Sequence, residues 1–548
     1  MPRNVPSTLA AALTVAMGAS LVALPASAAP RGSEPHSATT ASLTDGRQKN
    51  KAPALNEQVL WSEDFDGQAD ATGFTRRAPK GWTISSSGFT TGEVRWAGWA
   101  FSNIRDWTWA VGTDRRHWFT GAHNTFAVVE SEHQRLAARD RMTTALTTPA
   151  IKVTGEANLA LRFDSHYAQG KAPQAAAVYA SFDGGPRAEL LRYTADTLSA
   201  HEDLAVPVPR GAKTVQFTFS YEQGQNDKWW GIDNVALVRP QGEAAGAPIA
   251  TFDVISDIHV QGGPTADTKR NEKYVKALAL FAAQPDKAGA LALVGDVTEL
   301  GQAADYEAAA KLLEENPHAS GKTLIGAGNH EYLGKEGSDA YHQRFLDLAG
   351  REVPWGEVSV NGIPALMIST EYYSDVDRAG VEPYVKLGAQ QLGWLESRLA
   401  HYAKSGTPVL LMNHHPLPQS VSFTHSAWYG NDFYDLSALN DVIAKYNNVV
   451  YFSGHTHAWL GLNDWWGTYR VNGSGNPGGF PAVNTGAILN AGVPDGDHDE
   501  TRREGDHATA LRVKVYRDRV RVEAWDVLAG KQMKYKDFPV TASFANRR

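Results

Sequence analysis

The chain has 548 residues, 60 acidic against 52 basic side chains for a formal charge of -8, and no cysteine. At roughly 150 residues per domain, that length suits three or four domains or two large ones; 42% hydrophobic and 10% aromatic content excludes general disorder. The acidic balance argues against a protein that coats nucleic acid, and the missing cysteine excludes disulfides, thiolate metal sites and cysteine nucleophiles, so any metal must be held by nitrogen and oxygen.

Residues 1–28 read as a signal peptide: Arg3 is a positive head, residues 9–24 are an apolar run, and Pro25-Ala26-Ser27-Ala28 offers a cut after Ala28. The run, about 16 residues, is shorter than a comfortable membrane span, and no later stretch reaches about 18 apolar residues. The expectation is a bacterial secreted, extracellular protein with no membrane span. Residues 29–56, rich in Ser, Thr, Ala, Lys and Asn, read as a disordered leader. At 239–248, Arg239-Pro240-Gln241-Gly242 through Pro248 sets small residues between prolines and reads as a linker. The breaks leave two segments, 57–238 and 249–548.

The first segment reads as all-β. Leu159-Ala160-Leu161-Arg162-Phe163, Ala177-Val178-Tyr179-Ala180-Ser181-Phe182 and Thr214-Val215-Gln216-Phe217-Thr218-Phe219 are strand runs, punctuated by turns such as Asp183-Gly184-Gly185. Such spacing predicts a sandwich or jelly roll. Glu63-Asp64-Phe65-Asp66-Gly67 at its start and Trp229-Trp230-Gly231-Ile232-Asp233-Asn234-Val235 at its end resemble the MAM and adhesin-like jelly-roll accessory domains of extracellular proteins. Nine of the sixteen tryptophans lie here. They suit either sandwich-core filling, the favoured reading, or stacking platforms for a carbohydrate or cell-surface ligand. Glu63, Asp66 and Asp233 are candidates for a structural Ca clip, weighed against ordinary turn acids.

The second segment carries the chemistry. Five apolar runs of strand length stop at small residues beside Asp, Asn or His: Ile249 to Ser256 before Asp257-Ile258-His259, Ala290 to Val294 before Gly295-Asp296, Thr323 to Ala327 before Gly328-Asn329-His330-Glu331, Val409 to Met412 before Asn413-His414-His415-Pro416, and Asn448 to Phe452 before Ser453-Gly454-His455-Thr456-His457. Helical patterns at 273–283, 303–315 and 390–403 lie between them. Strand ends of an α/β sheet converge on one edge. The pooled side chains are two carboxylates, an amide and four imidazoles, a set for Fe, Mn, Zn or Co rather than calcium. Seven donors are too many for one tetrahedral site and suit two ions sharing a bridge.

This ordered set of motifs resembles the calcineurin-like metallophosphoesterase family over about residues 249–530. The resemblance implies a dinuclear-metal-dependent phosphoesterase on a four-layer α/β/β/α sandwich (an α/β, or α+β, fold), with a separate N-terminal all-β jelly-roll domain. It implies that Asp257, His259 and His457 hold one metal, that Asn329, His414 and His455 hold the other, and that Asp296 bridges them. It also implies attack on phosphorus by a hydroxide shared between the ions, with His330 as outer catalytic histidine. Phosphatases of the family carry an Asp three residues after the bridging acid to orient that histidine; here the residue is Glu299, expected to pair with His330. The expected substrate is a small-molecule or nucleotide-like phosphoester, monoester or diester. The alternative is a glycan- or surface-binding protein in which the phosphoesterase fold is a scaffold; competent residues at all seven ligand positions argue against it. In the loop 417–434, Phe423, Trp428 and Tyr429 either stack on a nucleobase or aromatic leaving group or merely close a rim, and His425 reads as solvated. The Gly-rich run at 472–479 reads as a flexible connection. Residues 510–525 read as a hairpin with one solvated face.

Overall fold

Met142–Thr147 alternates buried and half-buried residues, the two-residue period of a strand with one face in a core. That pattern recurs from Gln58 to Arg239, and the computed structural model folds this stretch into two sheets, of seven and six strands. The structure describes residues 57–546 except 69–72, 91, 93, 245, 372–384 and 495–499. The expected signal peptide and leader lie outside the described residues. Phe101, Val129, Leu161 and Trp230 from one sheet meet Leu146, Val178 and Phe219 from the other in a common core. Seven of the nine tryptophans (Trp82, Trp96, Trp99, Trp107, Trp118, Trp229 and Trp230) are buried, so most of them fill the core; Trp61 is half-buried against it and Trp109 is 83% exposed.

Glu63, Asp66 and Asp233, the candidates for a calcium clip, are not among the groups of described acids and histidines whose donor atoms lie within 4.8 Å of one another. Their oxygens accept from loop donors instead: Glu63 from Phe65 N (3.0 Å), Asp66 from Asn124 Nδ2 (2.9 Å) and Thr125 N (3.2 Å), Asp233 from His123 N (2.8 Å).

From Ala250 onward, strands of near-continuous burial alternate with helices. One sheet runs Thr323–Gly326, Ala290–Val294, Ala250–Ile255, Thr509–Val515, Arg519–Asp526, Lys531–Pro539; its first three strands are parallel. The other runs Gly356–Val360, Ile363–Met367, Val409–Met412, Val449–Ser453, Phe480–Asn484, Trp466–Tyr469. Val254, Val294 and Leu511 pack against Met367, Met412 and Phe452 between the sheets. The helices Lys269–Ala282, Ala303–Glu315 and Ser338–Ala349 cover the outside of the first sheet through Tyr274, Ala309 and Phe345. Ala389–Ala403 and Leu436–Ile443 cover the second through Leu395 and Leu439. These are the four layers that the resemblance implies.

Two local expectations fail. The hairpin Thr509–Val515/Arg519–Asp526 has no open face: Arg512 is fully buried and donates to Phe281 O at 3.1 Å, and Arg519 and Glu523 are buried too. The charges read as solvated because the covering helix is distant in sequence. The Gly-rich run at 472–479 is a hairpin connection between Trp466–Tyr469 and Phe480–Asn484, tied down by Asn476 Nδ2 donating to Gly479 O at 2.6 Å. Among the described residues, no helix is long and apolar enough to cross a membrane.

The sandwich packs directly on the chain that follows the Gly454-His455-Thr456-His457 motif. His201 stacks on Trp466 (centroids 3.9 Å apart) and its Nε2 lies 2.7 Å from Trp466 O, while Asp164 Oδ1 holds the other ring nitrogen at 2.5 Å. Asn124 and Asn472 exchange amide bonds of 2.7 and 3.0 Å, and Asn463 Nδ2 donates to Leu198 O at 2.9 Å.

Candidate metal centre

Three of the five apolar strands turn, where their polar ends begin, through strained backbone. Asp257, His259, Asp296, His455 and His457 all sit at positive φ (54°, 57°, 47°, 68° and 50°). Non-glycine residues hold that region at about 1–3 kcal/mol each, a cost that clusters at functional sites. The neighbouring glycines are needed for close approach. A Cβ at Gly454 would collide with Ser256 Oγ and Asp257 Oδ2, and one at Gly328 with Asp296 Oδ1 and His414 Cδ2.

These turns bring the predicted residues together in two groups, Asp257–His259–Asp296–His457 and Asp296–His414–His455, with donor atoms within 4.8 Å in each. Asp296 belongs to both. Its Oδ2 lies 3.7 Å from His259 Nε2, 3.1 Å from His414 Nε2 and 4.0 Å from His330 Nε2. Asp257 Oδ1 lies 3.0 Å from His457 Nε2, and His259 Nε2 faces His457 Nε2 at 3.1 Å. Asn329 follows Gly328 at the same edge, and its Oδ1 is buried with no hydrogen-bond partner. The two imidazole nitrogens 3.1 Å apart can share one proton as a hydrogen bond, whereas the buried Asn329 oxygen, without a partner, costs free energy unless a cation or donor reaches it. The donors, all nitrogen and oxygen, fit transition-metal ions.

Electrostatics agree. Burial opposes ionisation of Asp296, yet His414 and His330 hold its carboxyl well below the usual range. Burial likewise opposes the His414 imidazolium, but Asp296 and Asp257 push it up to about 10; Asp257 takes His457 to about 8. His455, which burial dominates, drops to about 3. Two buried carboxylates thus demand cationic charge beside them, which bound metal ions would supply in place of protons.

Surrounding groups fix the ring orientations. His414 Nδ1 donates to Val294 O (2.8 Å), and His457 Nδ1 pairs with Asn490 Oδ1 (2.8 Å). Asp432 Oδ2 stands 3.4 Å from His455 Nε2. Buried Glu331 accepts from the main-chain N–H of Asp296, Thr298 and Gly328 at 2.7–2.9 Å, which holds two of the turns in register. Asn490 and Asp432 escaped sequence reading because neither follows an apolar strand run. His415, beside the predicted ligand His414, joins a separate group with Asp432 and His455.

Glu299 departs from expectation. His330 Nδ1 donates to the main-chain carbonyl of Glu299 at 2.5 Å, not to its carboxylate. The carboxylate reaches Arg270 Nη1 (2.5 Å) and His259 Nδ1 (3.2 Å). Partial burial pushes its pKa up, but His259 and Arg270 outweigh that and hold it at about 2. The loop 417–434 also differs from its reading. Phe423 and Tyr429 are buried, Tyr429 with its ring edge-on to His455 at 5.3 Å. His425 is packed 5.7 Å from the Trp118 ring rather than solvated, because the sandwich sits there. Trp428 stays 61% exposed.

Residues 250–459 match the family described as Calcineurin-like phosphoesterase, a span that contains all nine predicted site residues. This segment is a calcineurin-like phosphoesterase. The enzyme is accordingly a metal-dependent phosphoester hydrolase, and the sheet that carries Ala250–Ile255 is completed by strands beyond the matched span. No curated protein matches the chain. Among solved structures, a dimetal phosphatase from Danio rerio is similar at 14% identity over 53% of this chain and 99% of that one (TM-score 0.36). A purple acid phosphatase from yellow lupin (Lupinus luteus) seeds is 9% identical over 88% and 93% (TM-score 0.38). A cleaved adhesin domain of Lys-gingipain from Porphyromonas gingivalis is 19% identical over 33% and 98% (TM-score 0.21). All three scores are below 0.5, and the assignment rests on the family match.

Proposed function

We propose that Asp257, His259, Asp296 and His457 hold one divalent or trivalent transition-metal ion and that Asp296, Asn329, His414 and His455 hold a second. The paired site would hydrolyse small phosphomonoesters or phosphodiesters. The observation that carries this reading is the shared Asp296 Oδ2, within 3.7 Å of a histidine from each group.

The chemistry such an ion pair supplies is neutralisation of phosphate charge and a lowered pKa for water beside it. The rest belongs to the side chains. Asp257 and Asp296, buried and ionised, give the site its affinity for cations. His330 donates Nδ1–H to Glu299 O, which fixes the ring and turns Nε2 toward Asp296 Oδ2. With its side chain 25% exposed, His330 is reachable from solvent, and a proton on Nε2 passes to the departing alkoxide. A cleft of about 310 Å³ lined by Tyr429, His455, His457, Asn490, Glu500 and Arg502 offers room for a small leaving group.

The test is turnover of p-nitrophenyl phosphate and of its bis-ester by metal-loaded protein, with metal analysis of the same sample. Hydrolysis of either ester with two ions per chain supports the reading; no hydrolysis of either with two ions bound contradicts it. We also propose that the protein is exported and cut after Ala28. Mature protein beginning at Ala29 in the culture medium supports export; protein retained in the cell and beginning at Met1 contradicts it.

A further inference from the structure

His259 presents Nε2 to the predicted ion position, since that nitrogen faces both Asp296 Oδ2 (3.7 Å) and His457 Nε2 (3.1 Å). A histidine that ligates through Nε2 carries its proton on Nδ1, and the group receiving that proton sets the ring's orientation and basicity. Here the group beside Nδ1 is the Glu299 carboxylate, whose Oε2 lies 3.2 Å away as a charge contact that is not aligned as a hydrogen bond. Arg270 braces the arrangement: its Nη1 donates to Glu299 Oε2 at 2.5 Å and to the main-chain oxygen of His259 at 2.7 Å. The carboxylate and the backbone of the ligand residue are thus tied to one guanidinium. His330 makes no claim on that carboxylate, because it is held by the carbonyl of the same residue.

We propose that the Glu299 side chain is a positioning residue for the metal ligand His259, with Arg270 as its brace, and that the orientation of the acid His330 is left to the Glu299 main chain. The inference rests on the two-metal reading above. Compared with aspartate, the extra methylene carries the carboxylate past His330 to His259. One residue thereby serves two histidines through separate groups, and substitution of its side chain separates the two roles.

The test is calorimetric titration of metal-free full-length protein with Mn²⁺, together with kcat for p-nitrophenyl and alkyl phosphates at saturating metal. In Glu299→Ala, the first site weakens about 10–100-fold while the second keeps its affinity, and the dependence of kcat on the leaving group stays as in wild type. Glu299→Gln keeps an acceptor at the same reach and restores affinity to within about threefold of wild type, whereas Glu299→Asp, charged but short, does not. If the alanine variant fails to fold, the Gln and Asp pair decides the matter alone. Wild-type affinity at both sites in Glu299→Ala or Glu299→Asp overturns the proposal, as does a changed leaving-group dependence with metal affinity unchanged. Fewer than two Mn²⁺ on the wild-type protein overturns the two-metal reading itself and this inference with it. Two Mn²⁺ on wild type and variants with equal affinities overturns only the role of Glu299.

Discussion

Asp296 Oδ2 lies 3.1 Å from His414 Nε2 inside a site where both residues are almost wholly shielded from solvent. Because the same oxygen also serves the His259 side, Asp296→Asn removes the one charge common to both groups. The expected outcome is a fall from two ions per chain to one or none, with kcat/KM for p-nitrophenyl phosphate reduced at least about 10³-fold. Metal analysis beside steady-state kinetics checks both halves.

His330 lies outside the two donor groups that share Asp296, and its ring is anchored by a main-chain carbonyl. His330→Ala therefore leaves metal stoichiometry at two and lowers kcat about 10²–10⁴-fold. The loss shrinks for esters with good leaving groups, which need no proton; comparing p-nitrophenyl with alkyl phosphates measures it.

The sandwich contains a histidine whose neutral form is built into the fold. His166 is fully buried, its Nε2–H donates to Arg115 O at 2.9 Å, and its Nδ1 accepts from Ser199 N at 3.2 Å, so both nitrogens are spent without a second proton. Burial lowers its pKa to about 3, against about 6.5 for an ordinary histidine. Between those values the unfolded chain binds the extra proton and the folded one does not. Stability is therefore complete above about pH 6.5 and falls toward pH 3, by up to about 1.4 kcal/mol per pH unit. His166→Phe, which keeps the stacking on Phe119, loses stability at neutral pH through its missing hydrogen bonds. It should also flatten this acid slope in urea melts recorded from pH 7 to 4.

His201 joins the sandwich to the strand that trails the second histidine pair. Truncation in His201→Ala removes a stacking contact and leaves Asp164 and Trp466 O without that partner. The expected cost is about 1–3 kcal/mol in thermal or urea unfolding, with two metal ions still bound. Loss of an ion would show that the docking also shapes the metal centre.

Much of the site was legible because each ligand ends an apolar strand, and burial of those strands leaves their polar ends few places to go. The alternation of strand and helix pointed to an α/β sheet, and the four layers came only from the family resemblance. What escaped lies across sequence distance. Asn490 and Asp432 sit on irregular chain with no periodic pattern, and Arg270 lies in the first turn of a helix, ahead of the pattern recognised at 273–283. Glu299 was expected to pair with His330 and does so through its carbonyl, while its carboxylate lies beside His259, a division that pattern alone cannot show. Arg512, set in a strand that reads as half-solvated, is buried by a helix more than two hundred residues earlier.

The central claim is that hydrolysis depends on a pair of ions held by Asp257, His259, Asp296, Asn329, His414, His455 and His457. It is tested most directly by exhaustive chelation of the purified full-length protein, followed by stepwise return of Mn²⁺ or Zn²⁺ while phosphoester turnover is recorded. The account predicts that turnover vanishes on chelation and returns in step with the second ion bound per chain. Turnover that survives complete metal removal would contradict it.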